Sequence, residues 1–150
     1  PRRTYMTTPI NAPGSCVSTN EKSPYRLLLV EDSTPMQRRL GAALAQLPAV
    51  ELIGITDSAG GAMSLIRREL PHVVVLDLRL NEGTGFDVLR RMRHMQLTTK
   101  VFVLSNLAQE SIKEECLAEG ATACFDKALE FEDFFRTLQN SLRRQPEGTW

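Results

Sequence analysis

The chain has 150 residues, with 18 Lys and Arg against 18 Asp and Glu, and 42% of it is apolar. A net charge of zero argues against sequence-blind binding of nucleic acid, which needs a surplus of cations along the phosphate backbone. The length fits one domain able to bury about 70% of its extended-chain surface, and apolar runs such as Leu27 to Val30 and Val73 to Leu76 fall far short of the roughly 20 residues that span a bilayer.

Residues 1–25 read as a disordered N-terminal tail, because Pro1, Pro9, Pro13, Gly14 and Pro24 stand among many Ser and Thr with only scattered apolar side chains. Residues 1–5 are taken as a cloning remnant ahead of Met6 as the natural start. Arg2-Arg3 is followed by no apolar h-region, so no secretory signal is expected. A domain is expected over 26–144, with 145–150 a short C-terminal tail.

Within that domain, short apolar runs alternate with helical periods. Leu27 to Val30 reads as a strand covered on both faces. Thr34-Pro35 supplies an N-cap and an N1 proline, and Met36, Leu40, Ala43, Leu44 and Leu47 recur at helical spacing up to Pro48. Val50 to Thr56 is a second strand, and Ser58 opens a helix carrying Ala62, Met63, Ile66 and Leu70 that ends at Pro71. Val73 to Leu76 is a third strand, followed by the turn Asn81 to Gly85 and a helix with Phe86, Leu89 and Met92 inside. Val101 to Leu104 is a fourth strand, and a helix with Ile112, Cys116 and Leu117 closes at Gly120, a C′ glycine. Ala121 to Phe125 is a fifth strand, and Phe131, Phe134, Phe135, Leu138 and Leu142 stripe a last helix.

Strands alternating with helices imply parallel pairing through right-handed crossovers, hence an α/β fold with a doubly wound five-stranded sheet. In such sheets sites form beyond the carboxyl ends of the strands, where strand order reverses. Glu31-Asp32 follows the first strand, Asp77 the third, Ser105 the fourth, and the fifth runs into Lys127. Three crowded carboxylates raise one another's pKa unless a cation intervenes, and a hard divalent ion such as Mg²⁺ suits oxygen ligands while leaving positions open for a phosphoryl oxygen. Lys127 adds fixed positive charge and Ser105 a hydrogen-bond donor, so this edge can stabilise a phosphoryl group in transfer to a carboxylate nucleophile. Asp77, after the central strand, is the candidate nucleophile. Any one of these acids alone, Asp32 beside Ser33-Thr34 for example, is as well explained as a helix cap.

The runs Leu28-Leu29-Val30-Glu31-Asp32-Ser33 and Val74-Val75-Leu76-Asp77-Leu78 with Gly83 and Gly85, then Val103-Leu104-Ser105, and Gly120-Ala121 ahead of Lys127, resemble the receiver domain of two-component response regulators. The resemblance covers about residues 26–144 and implies the (βα)5 flavodoxin-like fold with strand order 2-1-3-4-5. It implies that Asp77 accepts a phosphoryl group from a histidine kinase or a histidine phosphotransfer protein, and that Glu31, Asp32, Asp77 and the backbone carbonyl of Arg79 hold Mg²⁺. Ser105 and Lys127 would contact the phosphoryl group. The segments Phe125-Asp126-Lys127-Ala128 and Ser105-Asn106 are similar to stand-alone receivers without an output domain.

Three positions depart from the pattern. Cys124 stands where the family usually has the Tyr or Phe that rotates inward on activation, and Phe125, one residue later, belongs to the opposite face of its strand. Ala128 replaces the proline commonly found after the lysine. Asn106 is larger than the small residue common after the hydroxyl position, and is expected to narrow access to Asp77.

The other signals read as structural. Cys16, Cys116 and Cys124 form an odd set without C-x-x-C spacing, as expected of reduced thiols in a cytoplasmic protein. Arg67-Arg68, Arg90-Arg91-Arg93 and Arg143-Arg144 fall in the last turns of predicted helices, where cations complement the macrodipole. His72 and His94 are isolated, and Trp150 has no assigned role. The fringe of the last helix offers a homodimer or partner contact together with the face running from the fourth strand.

Taken together, these features predict a phosphorylation-dependent switch that changes partner affinity and performs only self-phosphorylation and self-dephosphorylation chemistry. A phosphorylation-independent adaptor with the same fold is the alternative. A haloacid-dehalogenase-type phosphatase is a distant one, because Arg79 stands where that family needs a second Asp. The few residues after Phe131 leave no room for an appended DNA-binding domain, so the output is expected in another protein and no DNA or membrane contact is expected.

Overall fold

The computed structural model describes residues 23–143. The expected tail through residue 22, with Cys16, and residues 144–150, with Arg144 and Trp150, lie outside the described residues.

Ten elements alternate strictly: β1 (Tyr25–Val30), α1 (Thr34–Ala45), β2 (Val50–Thr56), α2 (Ala59–Glu69), β3 (Val73–Leu76), α3 (Gly85–Met95), β4 (Lys100–Ser105), α4 (Glu110–Ala118), β5 (Ala123–Asp126) and α5 (Phe131–Arg143). The five strands pair in parallel in the order β2-β1-β3-β4-β5. This is the doubly wound sheet expected from the alternation, in the flavodoxin-like strand order that the resemblance implies, with β1, β3 and β4 inside the sheet and β2 and β5 at its edges.

Strand periodicity divides the core between two sheet faces, because successive side chains point opposite ways. Leu28, Val30, Val74, Leu76, Val101 and Val103 bury against Ala62, Met63 and Ile66 of α2, Val88, Leu89 and Met92 of α3, and Cys116 of α4. Leu27, Leu29, Val73, Val75, Phe102 and Leu104 bury on the other side, against Leu40 and Leu44 of α1 and Phe134, Leu138 and Leu142 of α5. The central strands therefore read as continuous apolar runs rather than as alternating ones.

Element boundaries differ from the sequence reading by a residue or two at several places, and three of them have a clear cause. β1 begins at Tyr25, one residue inside the expected tail, because its N–H reaches the carbonyl of Ala49 (2.7 Å) and its hydroxyl donates to the carbonyl of Leu142 (2.9 Å). Ser33 rather than Thr34 caps α1, its hydroxyl accepting from the amide of Met36, so Thr34 is already helical. β5 begins at Ala123 rather than Ala121, because Ala121 is occupied in closing α4. Its N–H returns to Cys116 (3.0 Å) and that of Gly120 to Leu117 (3.0 Å), a Schellman motif in which Gly120 takes φ +108°.

The loop after β3 is held from both sides. Asn81 is bound to Asp57 through its backbone N–H (3.0 Å) and its side-chain amide (2.8 Å), and the amide of Ala59 donates to Glu82 (2.8 Å). Thr84 and Asp87 then form a reciprocal capping box for α3. Gly85 lies against this loop so closely that a Cβ there would sit 2.5 Å from the carbonyl oxygen of Asp77 and 2.8 Å from Cα of Leu78. Both obstacles are backbone, which cannot swing aside as a side chain does. Gly85→Ala is expected to destabilise the fold by about 1–3 kcal/mol, read as a lower urea midpoint, whereas an unchanged midpoint would show that the Asp77 loop yields freely.

Candidate functional site

Parallel pairing brings the carboxyl ends of β1, β3, β4 and β5 to one edge of the sheet. The amide of Asp77 donates to Val30 (2.9 Å) and that of Lys127 to Ser105 (3.0 Å), so the backbone ladder itself sets these residues side by side. Glu31, Asp77, Ser105 and Lys127 are the buried polar residues among the described residues, at 1%, 5%, 1% and 8% exposure. Asp32 is half-buried and Arg79 exposed.

The ammonium of Lys127 lies 3.0 Å from Oε1 of Glu31 and 3.0 Å from Oδ2 of Asp77. The remaining carboxylate oxygens face backbone donors. Oε2 of Glu31 accepts from the amide of Ser33 (3.1 Å), and Oδ1 of Asp77 accepts from the amide of Arg79 (3.3 Å). Burial pushes the Glu31 carboxyl above its usual range, with the nearby charge of Asp77 adding to the rise and Lys127 and the Ser33 amide opposing it. Burial works against the charge on Lys127 too, but the carboxylates of Asp77 and Glu31 outweigh it and hold the ammonium above its ordinary pKa.

Glu31, Asp32 and Asp77 each offer a carboxylate oxygen, and these oxygens lie within 4.8 Å of one another. Three carboxylates against one ammonium leave a charge of −2 when all are ionised, which a divalent cation balances. An oxygen-only donor set suits Mg²⁺ or another hard ion, so the residues fit the cation expected from the sequence. Four of the six predicted site residues thus come together through side chains, Glu31, Asp32, Asp77 and Lys127, while Arg79 meets Asp77 through its backbone amide rather than through the carbonyl expected to hold the cation. Ser105 is buried at the same strand end, with its hydroxyl accepting from the amide of Leu107 (3.1 Å).

The departures are equally concrete. Cys124 packs with Cys116 in the core beneath α4, whereas Phe125 faces the other side and stacks edge-on to Phe134, with ring centroids 5.9 Å apart. Phe125 therefore does not stand in for an aromatic at position 124. Asn106 is exposed. Of the basic clusters, Arg67, Arg68, Arg93 and Arg143 do end helices, but Arg90 and Arg93 also pair across to Glu119 beside α4, at 3.6 and 3.0 Å. His72 is structural, its Nδ1 accepting from the amide of Arg26 (2.9 Å).

The sequence reading missed Gln37, whose side-chain amide donates to the carbonyl of Glu31 at 2.6 Å and so steadies the acidic turn from α1. A polar side chain one turn into a helix carries no signal of that contact. It also missed the two acids flanking the Lys127 turn, Asp126 and Glu130.

Comparison with known proteins places this geometry. Residues 27–139 match the family model of the response regulator receiver domain. A protein-glutamate methylesterase/protein-glutamine glutaminase of Treponema denticola is 31% identical over 98 residues, 64% of this chain and 26% of that protein. The photosynthetic apparatus regulatory protein RegA of Rhodovulum sulfidophilum is 32% identical over 120 residues, 80% of this chain and 64% of RegA. The chain thus spans less than two thirds of either relative. Among solved structures, the Mn²⁺-bound form of the response regulator Rcp1 superposes with a TM-score of 0.66 at 25% identity, over 85% of this chain and 98% of that one.

Lys127→Met strips two buried carboxylates of their counter-charge, and is expected to cost about 3–5 kcal/mol in urea unfolding near neutral pH. The cost is expected to shrink on acidification. Lys127 lowers the pKa of Glu31, so its loss raises that pKa further above the unfolded value; a group so shifted contributes stability below the unfolded pKa and loses it as pH rises through the folded one. Equal destabilisation at about pH 5 and about pH 8 would contradict this account.

Proposed function

The chain belongs to the response regulator receiver domain family, and from that premise we propose that it is the phosphorylation switch of a two-component system, with Asp77 as phosphoacceptor. The observation that carries the reading is the Lys127 ammonium held 3.0 Å from an oxygen of Asp77, within a cluster of three carboxylates at the strand ends. A cation and a nucleophilic carboxylate at that separation are arranged for a group that brings its own negative oxygens.

In the proposed reaction a carboxylate oxygen of Asp77 attacks the phosphorus of a phosphohistidine on a kinase or phosphotransfer protein. The new O–P bond makes an acyl phosphate, the P–N bond breaks, and its electron pair leaves with the imidazole. Positioning and charge stabilisation are the main catalytic means for such a transfer. Lys127 would follow the charge from the Asp77 carboxylate onto the phosphoryl oxygens, releasing its hold on Glu31. Ser105 would turn its hydroxyl hydrogen, which the bond to Leu107 does not use, toward a second oxygen. Glu31, Asp32, Asp77 and the Arg79 carbonyl would hold Mg²⁺, which supplies neutralisation of the charge gathered at the transferred group.

Redistribution of Lys127 is the step that would reach the surface. The segments between β4 and α5 expose large apolar side chains, Leu107, Leu117 and Leu129, the last at 84%, and these suit a protein partner whose affinity follows the state of Asp77. With Cys124 in place of an aromatic, the change would not use a rotating ring at that position.

Acetyl phosphate with Mg²⁺ is expected to add the mass of one phosphoryl group, and both Asp77→Asn and chelation of the metal to abolish it. Labelling that survives Asp77→Asn would remove Asp77 from its place. Backbone NMR shifts in β5 and α4 are expected on adding beryllofluoride, a phosphoryl mimic; their absence would favour the phosphorylation-independent adaptor.

A further inference from the structure

Lys127 reaches Asp77 from a turn whose geometry is fixed by two acids that do not touch the site. Oδ1 of Asp126 accepts from the amides of Ala128 (2.8 Å) and Leu129 (2.9 Å), so one carboxylate oxygen gathers both N–H groups that follow Lys127. The backbone then closes on itself, the amide of Glu130 donating to the carbonyl of Asp126 (2.8 Å). Glu130 answers with its side chain: Oε1 accepts from the amide of Asp126 at 2.8 Å. Asp126 ends the edge strand β5, which pairs with β4 on one side only. Lys127 is the first residue inside this closed loop.

Glu130 ties the ring to both neighbouring helices. Oε1 of Glu130 also accepts from the ammonium of Lys113 in α4, at 2.6 Å. The carbonyl of Glu130 accepts from Phe134 (2.9 Å), so the same residue starts α5. Lys113 and the Asp126 amide hold the Glu130 carboxyl below its usual range, consistent with a charge acceptor that stays ionised at neutral pH. The Ala128 bond to Asp126 exists because Ala128 has an N–H to give.

We propose that Asp126 and Glu130 are positioning residues for Lys127, and that the Lys113–Glu130 pair couples the position of Lys127 to α4. This rests on Asp77 being the phosphoacceptor. A lysine in a free turn must have both backbone and side chain ordered for each transfer; a lysine whose following amides are pinned starts from a fixed Cα, so fewer conformations stand between its ammonium and Asp77. When Lys127 moves from Glu31 toward a phosphoryl group, the pinned turn moves with it and pulls on Lys113. The coupling is a physical chain: the Asp77–Lys127 contact, the hydrogen-bonded turn that carries Lys127, and the Glu130–Lys113 contact that ties this turn to α4.

The test measures beryllofluoride affinity at saturating Mg²⁺ and Mg²⁺ affinity alone, both by calorimetric titration of the full chain. Asp126→Ala is expected to weaken beryllofluoride about tenfold, the size of one or two lost bonds to a charged acceptor, without weakening Mg²⁺, whose ligands it leaves in place. Asp126→Asn keeps an oxygen acceptor and is expected to restore most of the affinity. Lys113→Met is expected to weaken beryllofluoride by about threefold, the scale of a partly exposed ion pair, and to remove the NMR shift of α4 on beryllofluoride binding. Wild-type beryllofluoride affinity in Asp126→Ala, or equal loss of Mg²⁺ and beryllofluoride, would overturn the proposal. If Asp126→Ala does not fold, Glu130→Ala is judged by the same criteria. Failure of the unaltered chain to bind beryllofluoride would instead bring down the phosphoacceptor reading, and the positioning proposal with it.

Discussion

An ammonium group with almost no access to water, shared between two carboxylates, sets the terms for the rest of this molecule. Burying an ion costs several kcal/mol even after the protein relaxes, and only close, well-directed partners offset that cost. Glu31, Asp77 and Lys127 come from three strands that adjoin only through the sheet order β2-β1-β3-β4-β5. The cluster therefore depends on every strand between them being in register, and a slip of one residue would turn a carboxylate into the core. The continuous apolar strands that make poor local signals of facing are what hold that register, since each is packed on both sides.

The cluster is balanced but not neutral. Two carboxylates and one ammonium, with Asp32 beside them, leave room for more positive charge, and burial has already raised the pKa of Glu31 toward protonation. A site with this surplus of negative charge favours a cation that enters it. The loops around it are held by hydrogen bonds and close packing. Asn81 and Asp57, the Thr84–Asp87 capping box and Gly85 fix the turn after β3, while Gln37 and Ser33 fix the turn after β1.

Two of the three departures from the family pattern, Cys124 and Ala128, stand at the β5 end. Cys124 packs against Cys116 on one sheet face, Phe125 packs against Phe134 of α5 on the other, and Ala128 gives its amide to Asp126. Family membership shows what kind of domain this is, while these side chains describe how its β5 end is built.

The sequence by itself determined the element order, the parallel sheet and the edge on which acids, hydroxyl and lysine would meet, because each depends on local pattern: apolar runs, Pro and Gly punctuation, and residues standing at strand ends. It also determined that Phe125 could not replace position 124, a consequence of the two-residue period. Only the tertiary structure decided which partners the charges take. Lys127 bonds to Glu31 as well as to Asp77, Arg90 and Arg93 reach Glu119 rather than serving helix ends alone, and Tyr25 enters β1 by reaching Leu142 across the chain. Asp126 and Glu130, ordinary acids in the sequence, become the frame of the lysine turn. Each of these is a contact between residues brought together by folding or a choice among several nearby acceptors. Such contacts are settled by distance and burial, which no local pattern records.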